Sequence, residues 1–468
     1  MYSQYLTSRH DVCKELVERL SKRFPYVSLL GKHVVGKTIQ VTTVATKVTD
    51  TMEAQCGFVV KLYNGKTYAE YSFSEITPES IDSLEKQIIE EVSFPDEILD
   101  NHVHLDAIPD EPLKQSFVRS VEGKDYSVEE IIAKLGEIRA KIQSFDPRIV
   151  QAITVFTSYE TSAMFLSKNR DLTQNFTWPS VVIIAVARSE DGNVQMNRDV
   201  ATYNSYEKCF EVAEEKIPAM CQTAIDLLSA EMIVPGVYDI ITEPSITGLI
   251  AHEAFGHGVE MDMFVKNRAK SVRYLNKRVA SDLVEMHDGA AATLSAASYF
   301  FDDDGVLAHD TLIIDKGILQ TGISDAVSAM QLGTVPTGNG RRESYKRKAY
   351  TRMTNTFFKP GTSTPEEMIS SVKHGYLLSQ TDNGMEDPKN WNIQCVCAYG
   401  REIKDGKLTG KIVAPVVMSG YVPDLLESIS MVSSTGEVIG SGHCGKGYKE
   451  WVPVSDGGPY LKARCKLS

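Results

Sequence analysis

Apolar residues in the first part of the chain change from the spacing of a helix to that of strands. One set recurs on a single helical face: Leu6, Cys13, Leu16, Val17, Leu20 and Phe24. Three stretches rich in β-branched and aromatic residues predict antiparallel strands: 39–48, 56–63 and 67–73. Asn64-Gly65 is typical of a hairpin turn between the last two. Thr77 as a cap and Pro78 as the first helical residue then predict a second helix.

The same alternation continues up to residue 234. The sequence Ser-Val-Glu-Glu at 127–130 is typical of a capping box and predicts a helix that reaches about residue 144. Residues 149–187 predict strands, and a helical stripe of apolar residues covers 206–228. Pro218 falls inside this stripe, so we expect the helix to kink or break there.

The second half of the chain predicts few helices and many strands. Pro235-Gly236 marks the change and is the best candidate for a domain boundary. Residues 298–314 predict a hairpin around a turn at 302–305. Residues 364–367 are typical of a helix cap, and strand-like sequence dominates from Trp391 onward.

Length and pattern together predict the fold class. A chain of 468 residues is too long for one ordinary core. We expect an α+β fold of two mixed domains, residues 1–234 and 235–468, with mainly antiparallel sheets. The C-terminal domain should be the strand-rich one.

Composition and charge argue against several classes of protein. The formal net charge is −13, and an acidic chain is repelled by nucleic acid at long range. The first 24 residues form an amphipathic pattern without the apolar core of a secretory signal, and no uncharged run is long enough to span a bilayer. Eight cysteines do not make a disulfide scaffold at this length. We therefore expect a soluble cytoplasmic protein that binds neither nucleic acid nor a membrane.

The segment 249–258 contains the residue types of a metal site. The imidazoles of His252 and His257 can ligate zinc, and Glu253 can take a proton from metal-bound water. The histidines are five residues apart, which places them roughly 140° apart on an ideal helix, so an unbroken α-helix cannot direct both at one ion. A left-handed end or a π-type turn at Gly256 would bring them together. The alternative is that they are unrelated polar residues on a straight, buried helix.

Cys444 is the best candidate for a third ligand. It lies at 441–447 in Ser-Gly-His-Cys-Gly-Lys-Gly, where small neighbours let the backbone approach a crowded site. His443 is the competing ligand in the same segment. A thiolate with imidazoles favours zinc over magnesium or calcium. Three protein ligands would leave a position for water, whereas a fourth, such as His443, would close the site and favour a structural metal.

The segment 252–260 resembles the HExxxH motif of the TldD/PmbA peptidases, also called modulators of DNA gyrase. Further similarities follow in the same order: 299–305, 337–342, 352–355 with 360–361, and 444–445 with 452–454. The resemblance implies a dimeric, two-domain α+β protein in which His252, His257 and Cys444 hold zinc and Glu253 is the base. Because the PmbA branch lacks the metal motif, the chain looks like the TldD branch.

Two functions follow from this sequence. The first is a zinc-dependent peptidase that hydrolyses peptides or unfolded protein segments, as a homodimer or with a PmbA-type subunit. The second is a regulatory subunit that binds metal or peptide without hydrolysis and modulates a partner protein. One basic segment lies outside both arguments: Arg341, Arg342, Lys346, Arg347, Lys348 and Arg352, with Glu343. This segment is a solvated loop, a clamp for the carboxylates or backbone of a peptide or, as a third alternative in an acidic chain, a phosphate-binding segment.

Overall fold

Two large β-sheets divide the chain, in a computed structural model that describes residues 2–94, 108–447 and 449–468. The first, here the N-terminal sheet, contains β1 (Tyr26–Val41), β2 (Thr46–Asp50), β3 (Gln55–Tyr63), β4 (Tyr68–Phe73), β5 (Leu113–Arg119), β6 (Ile149–Ser167), β7 (Arg170–Arg188) and β8 (Val194–Thr202). The remaining strands are β9 (Gly236–Thr242), β10 (Met286–Asp288), β11 (Thr311–Asp315), β12 (Ile318–Leu319), β13 (Gly340–Arg341), β14 (Tyr350–Thr351), β15 (Asn355–Phe358), β16 (His374–Asp387), β17 (Asn392–Lys404), β18 (Lys407–Val413), β19 (Val416–Tyr421), β20 (Met431–Lys446) and β21 (Lys449–Leu467). All of these except β13 and β14, which pair with each other, form the C-terminal sheet.

Helices are fewer and shorter. They are α1 (Gln4–Thr7), α2 (His10–Leu20), α3 (Ile81–Glu91), α4 (Val128–Gln143), α5 (Tyr206–Asp226), α6 (Pro244–Leu249), α7 (Met261–Val265), α8 (Ala326–Leu332), α9 (Pro365–Ser370) and α10 (Val422–Glu427). Short 3₁₀ segments occupy Leu227–Ser229, His257–Val259 and Lys270–Tyr274, and Ile250–Gly256 is a π-helix. None of the helices in the described ranges is both long and apolar enough to cross a membrane.

Antiparallel pairing dominates both sheets. The N-terminal sheet has the strand order β4-β3-β1-β6-β7-β5, with β2 on β1 and β8 on β7. The C-terminal sheet has the order β12-β11-β10-β15-β21-β19-β17-β16-β9, and β9 also pairs with β21, so that these last five strands close into a ring. Parallel pairs join β5 to β7, β9 to β16 and β15 to β21. The predicted α+β class, with a strand-rich C-terminal part, is confirmed.

The alternation of side chains along β1 places different layers on the two faces of the N-terminal sheet. Val27 and Leu29 pack with α2 and α3, and Ile39 packs with α4 and α5. Leu30, on the opposite face, packs instead with Phe301 from the second half of the chain. The period of two therefore directs one face of the sheet towards its helices and the other towards the C-terminal half.

Several local predictions are confirmed. Asn64-Gly65 connects β3 to β4 in an antiparallel hairpin. Both predicted capping boxes form, with Ser127 at the start of α4 and Thr364 at the start of α9. Of the kink or break expected at Pro218, the break is wrong, because α5 continues through this residue and buries residues on both sides. Packing on the sheet therefore outweighs the lost hydrogen bond.

Other boundaries differ from the prediction. The helix expected from Pro78 begins at Ile81, because hydroxyl hydrogen bonds between Thr77 and Ser80 form a turn first. The strand expected over 39–48 is interrupted by a turn before β2. The hairpin expected over 298–314 is reduced to one bridge, and β11 pairs with β10 and β12.

Candidate metal centre

The two histidines of the central motif lie on one face of a π-helical segment. This segment, Ile250–Gly256, continues α6 and leads into a 3₁₀ turn. Its i to i+5 register brings residues five apart onto the same face. The rings of His252 and His257 have centroids 5.2 Å apart and are nearly perpendicular, at 87°. Gly256 keeps ordinary helical dihedrals, φ −58° and ψ −50°. The prediction of a π-type turn is confirmed, and the left-handed alternative is wrong.

Close packing explains the glycine that precedes the second histidine. A Cβ atom on Gly256 would lie 2.2 Å from Met353 Sδ and 3.0 Å from the carbonyl oxygen of Ala251. Met353 is fully buried, so it has little space to retreat into. Glycine is required here for the approach of neighbouring groups rather than for a positive φ.

Cys444 reaches the same point from the other end of the sequence. It lies on β20, opposite Val452 of β21. Its Sγ is 3.3 Å from His257 Nε2, and the possible ligand atoms of the two histidines and this cysteine all lie within 4.8 Å of one another. His252 is 3% exposed and Cys444 6% exposed, whereas the side chain of His257 is 18% exposed, so the cluster is buried except on the side of His257.

The chemistry of this cluster fits a zinc ion. Burial works to raise the pKa of the Cys444 thiol, but the charges of His257 and His252 hold that pKa well below its usual range. Thiolate is the form that binds metal. Nδ1 of His252 is buried and has no hydrogen-bond partner in the described part of the chain. Two imidazoles and a thiolate are a typical donor set for zinc.

His443, the competing ligand, belongs to a different environment. Its Nε2 lies 2.7 Å from a carboxylate oxygen of Glu53, and the side chains of neighbouring strand residues point to opposite faces. The only candidate metal-binding group in the described ranges has three members and omits His443. Three protein ligands leave a position for water, as in catalytic zinc sites.

Glu253 lies beside the cluster without belonging to it. Its carboxylate oxygens are 3.9 Å from His252 Nε2 and 3.8 Å from His257 Nε2, and its side chain is 18% exposed. A Cβ atom on Gly384 of β16 would lie 2.5 Å from the Cγ of Glu253. Strand β16 therefore packs closely against the aliphatic part of the Glu253 side chain, while the carboxylate faces the imidazoles.

Comparison with known proteins relates the chain to a family of metallopeptidases. A family model described as the PmbA/TldA metallopeptidase C-terminal domain matches residues 235–464. A zinc metalloprotease TldD homologue of Saccharolobus solfataricus is 27% identical over 357 residues, which are 75% of this chain and 79% of that protein. A metalloprotease of Methanocaldococcus jannaschii is 32% identical over 279 residues, 60% of this chain and 61% of that protein. The chain belongs to the TldD/PmbA family.

Solved structures with the TldD/PmbA fold align along nearly the whole chain. A Thermotoga maritima protein named as a modulator of DNA gyrase superposes with a TM-score of 0.78 at 16% identity, covering 98% of this chain and 100% of that one. TldE from Thermococcus kodakarensis superposes with a TM-score of 0.73 at 16% identity, covering 97% and 99%. At these identities the likeness concerns the fold.

The sequence of this TldD/PmbA chain did not predict a buried ionic network that contacts His257. Nδ1 of His257 lies 3.3 Å from Glu260, which also contacts Lys446 at 3.0 Å and Arg352 at 3.4 Å. Burial works to raise the pKa of Glu260, but Lys446 and His257 hold that pKa well below its usual range. The ionised carboxylate accepts a hydrogen bond from the Nδ1–H group and leaves Nε2 free for a ligand role. The i, i+3 spacing of 257 and 260 was the available signal.

The basic segment is not the uniform solvated loop that one interpretation of the sequence predicted. Lys346, Arg347 and Lys348 are exposed, but three arginines are buried: Arg341, Arg342 and Arg352. Arg342 pairs with Glu70 of the N-terminal sheet at 3.1 Å. The segment therefore joins the two halves of the protein, and its buried cations have individual partners.

Proposed function

We propose that this protein is a zinc-dependent peptidase acting on peptides or unfolded protein segments. In this proposal residues 1–234 and 235–468 are separate domains, and the second carries the chemistry. His252, His257 and Cys444 are the zinc ligands, and Glu253 is the catalytic base. The observation that carries the proposal is the convergence of three zinc-type ligand atoms within 4.8 Å, with a carboxylate beside them and no fourth ligand in the described ranges.

The residues around the centre have different roles in the proposed hydrolysis. Zinc, when bound by the two imidazoles and the thiolate, supplies the Lewis acidity that polarises a scissile carbonyl. Glu253 accepts a proton on a carboxylate oxygen from the attacking water and passes it to the leaving amine. Glu260 holds the proton of His257 on Nδ1 and fixes the ring. The buried surroundings exclude bulk water and so strengthen these interactions.

Assembly and location are part of the same proposal. One of the structural neighbours is TldE from Thermococcus kodakarensis. We infer that this chain pairs either with a second copy of itself or with a PmbA-type (TldE) subunit. We also infer a reducing compartment such as the cytoplasm, because eight cysteines in 468 residues do not make a disulfide scaffold.

The experiment that tests the proposal combines metal analysis with peptide cleavage. Elemental mass spectrometry of the purified protein should find about one zinc per chain, as a single three-ligand site requires. Cys444→Ala should lose most of that zinc. Glu253→Gln should retain zinc and lose cleavage of an unfolded polypeptide by about 10²-fold or more, because general-base catalysis contributes about 10²–10⁴-fold.

The outcomes separate the two functions that the sequence left open. Full cleavage by Glu253→Gln would reject the role of this base. A zinc-free protein, even after supply of zinc without chelators, would reject the peptidase and favour a regulatory subunit. Zinc bound without any cleavage in the presence of a PmbA-type partner would favour a structural metal.

A further inference from the structure

A cavity next to β20 and β21, the strand pair that carries Cys444, has walls from both halves of the chain. Its volume is about 140 Å³. Val452 in the wall is the strand partner of Cys444, and His443 in the wall directly precedes Cys444. Lys32 and Tyr159 contribute from the N-terminal sheet. A cavity of roughly 150 Å³ admits a benzene-sized group, so this one has room for a single side chain or a chain end.

Most charged groups in the wall are paired within the protein. The ion pairs are Lys32 with Asp303 at 2.6 Å, Arg342 with Glu70 at 3.1 Å, and His443 with Glu53 at 2.7 Å. Asp302 accepts hydrogen bonds from backbone N–H groups, including that of Gly340 at 2.8 Å. Because these carboxylates already have partners, they are not available to neutralise a further cation.

Arg341 is the exception among the cations of this wall. It is 9% exposed, and its guanidinium donates to the carbonyl oxygens of Met353 at 2.6 Å and Pro453 at 2.7 Å. In the described part of the chain no carboxylate lies within 4 Å of it. The ring of Tyr299 lies 5.6 Å from its central carbon. A guanidinium has five N–H donors and stays charged, so Arg341 is a fixed, buried cation with donors to spare.

We propose that Arg341 binds a carboxylate of the peptide substrate in this cavity and thereby determines specificity. The proposal rests on the proposed peptidase function. Two parallel N–H bonds from a guanidinium fork match the geometry of a carboxylate. The two backbone carbonyls hold the fork in place before the substrate arrives. A free C-terminus and a glutamate or aspartate side chain both present this group.

Peptide binding to zinc-loaded Glu253→Gln protein tests the proposal without turnover. Fluorescence anisotropy would compare three labelled peptides of one sequence: a neutral peptide with a free C-terminus, its C-terminal amide, and the amide with one internal Gln replaced by Glu. We expect at least one carboxylate peptide to bind about 10- to 100-fold more tightly than the neutral amide. Tighter binding of the first identifies the terminal carboxylate, and tighter binding of the third identifies an acidic side chain.

Further substitutions in the same background assign the effect to Arg341. Arg341→Gln should abolish the preference, Arg341→Lys should keep part of it, and Arg347→Gln, an exposed arginine outside the cavity wall, should keep all of it. Zinc content and thermal unfolding check that each variant is folded. The comparison of the three peptides in the Glu253→Gln parent protein remains valid even if one of these variants does not fold. Equal binding of the three peptides, no binding at all, or a preference that survives in folded Arg341→Gln would overturn the proposal. If the wild-type protein cleaves peptides but the three labelled peptides bind equally, only the proposed role of Arg341 is rejected. If the carboxylate peptides bind more tightly but the wild-type protein cleaves nothing, only the proposed peptidase function is rejected.

Discussion

Replacing Gly256 with alanine tests the π-turn most directly. The new methyl group would lie 2.2 Å from Met353 Sδ, whereas heavy atoms normally approach to about 3.5–4.0 Å. Roughly 1.5 Å must be gained by moving a fully buried side chain or the turn itself. Overpacking of this kind costs about 1–3 kcal/mol. The higher helix propensity of alanine offsets about 1 kcal/mol of this loss of stability. We expect a net loss of stability of about 1 kcal/mol and weaker zinc binding, since His257 follows directly.

Another glycine of the same protein is a matched control. Gly136 lies inside α4, and a Cβ there would meet no atom within 4 Å. Gly136→Ala should therefore stabilise the protein by about 0.5–1 kcal/mol. The same substitution thus has opposite signs at two helical positions, and the close contacts at Gly256, above all that with Met353, distinguish them.

A double-mutant cycle isolates that contact. Met353→Ala alone should cost about 2–5 kcal/mol, because it empties a buried site. In this background Gly256→Ala should be neutral or stabilising, which corresponds to a coupling of about 1–3 kcal/mol. Calorimetry measures the unfolding of each variant, and elemental analysis measures retained zinc. Additive effects, or stabilisation by Gly256→Ala with full zinc retention, would refute the packing argument.

Two more predictions concern other parts of the molecule. Gly384→Ala should lower kcat about tenfold or more with zinc content unchanged, because its methyl group displaces Glu253; unchanged kcat in peptide cleavage assays would contradict this. Burial alone would raise the pKa of Glu70, but the charges of Arg342 and Lys61 lower it to about 2 from 4.5. Glu70 therefore contributes stability that is fully present above pH 4.5 and is lost as the pH falls towards 2. Urea unfolding of Glu70→Gln should show a loss on the order of 3 kcal/mol at pH 7 and a weaker acid dependence than the wild type; identical acid dependence would be inconsistent with this.

The sequence predicted features that depend on neighbouring residues. If His252 and His257 bind one ion, their five-residue spacing conflicts with an α-helix, and that conflict predicted either a left-handed end or a π-type turn, of which the π-type turn is present. A hydroxyl followed three residues later by a glutamate predicted the starts of α4 and α9 for a similar reason. In each case the physical requirement is satisfied within one helical turn, so a short stretch of sequence contains it.

Features that join distant residues were not predictable in this way. Lys446 meets Glu260 across 186 positions, and Arg342 meets Glu70 across 272. A run of cations resembles a solvated surface unless its buried partners are known. Propensity failed at Pro218 for the same reason, because packing against the sheet determined the result.

The two halves of the chain contribute unequally to the proposed reaction. The candidate zinc ligands and Glu253 all come from residues after 235, whereas the cavity that holds Arg341 is closed by the N-terminal sheet. That closure follows from strand alternation, since Lys32 occupies the face of β1 opposite its helices and pairs there with Asp303. A C-terminal half alone would retain the candidate ligands but lose part of the cavity wall. The N-terminal sheet is therefore expected to affect the choice of substrate more than the binding of zinc.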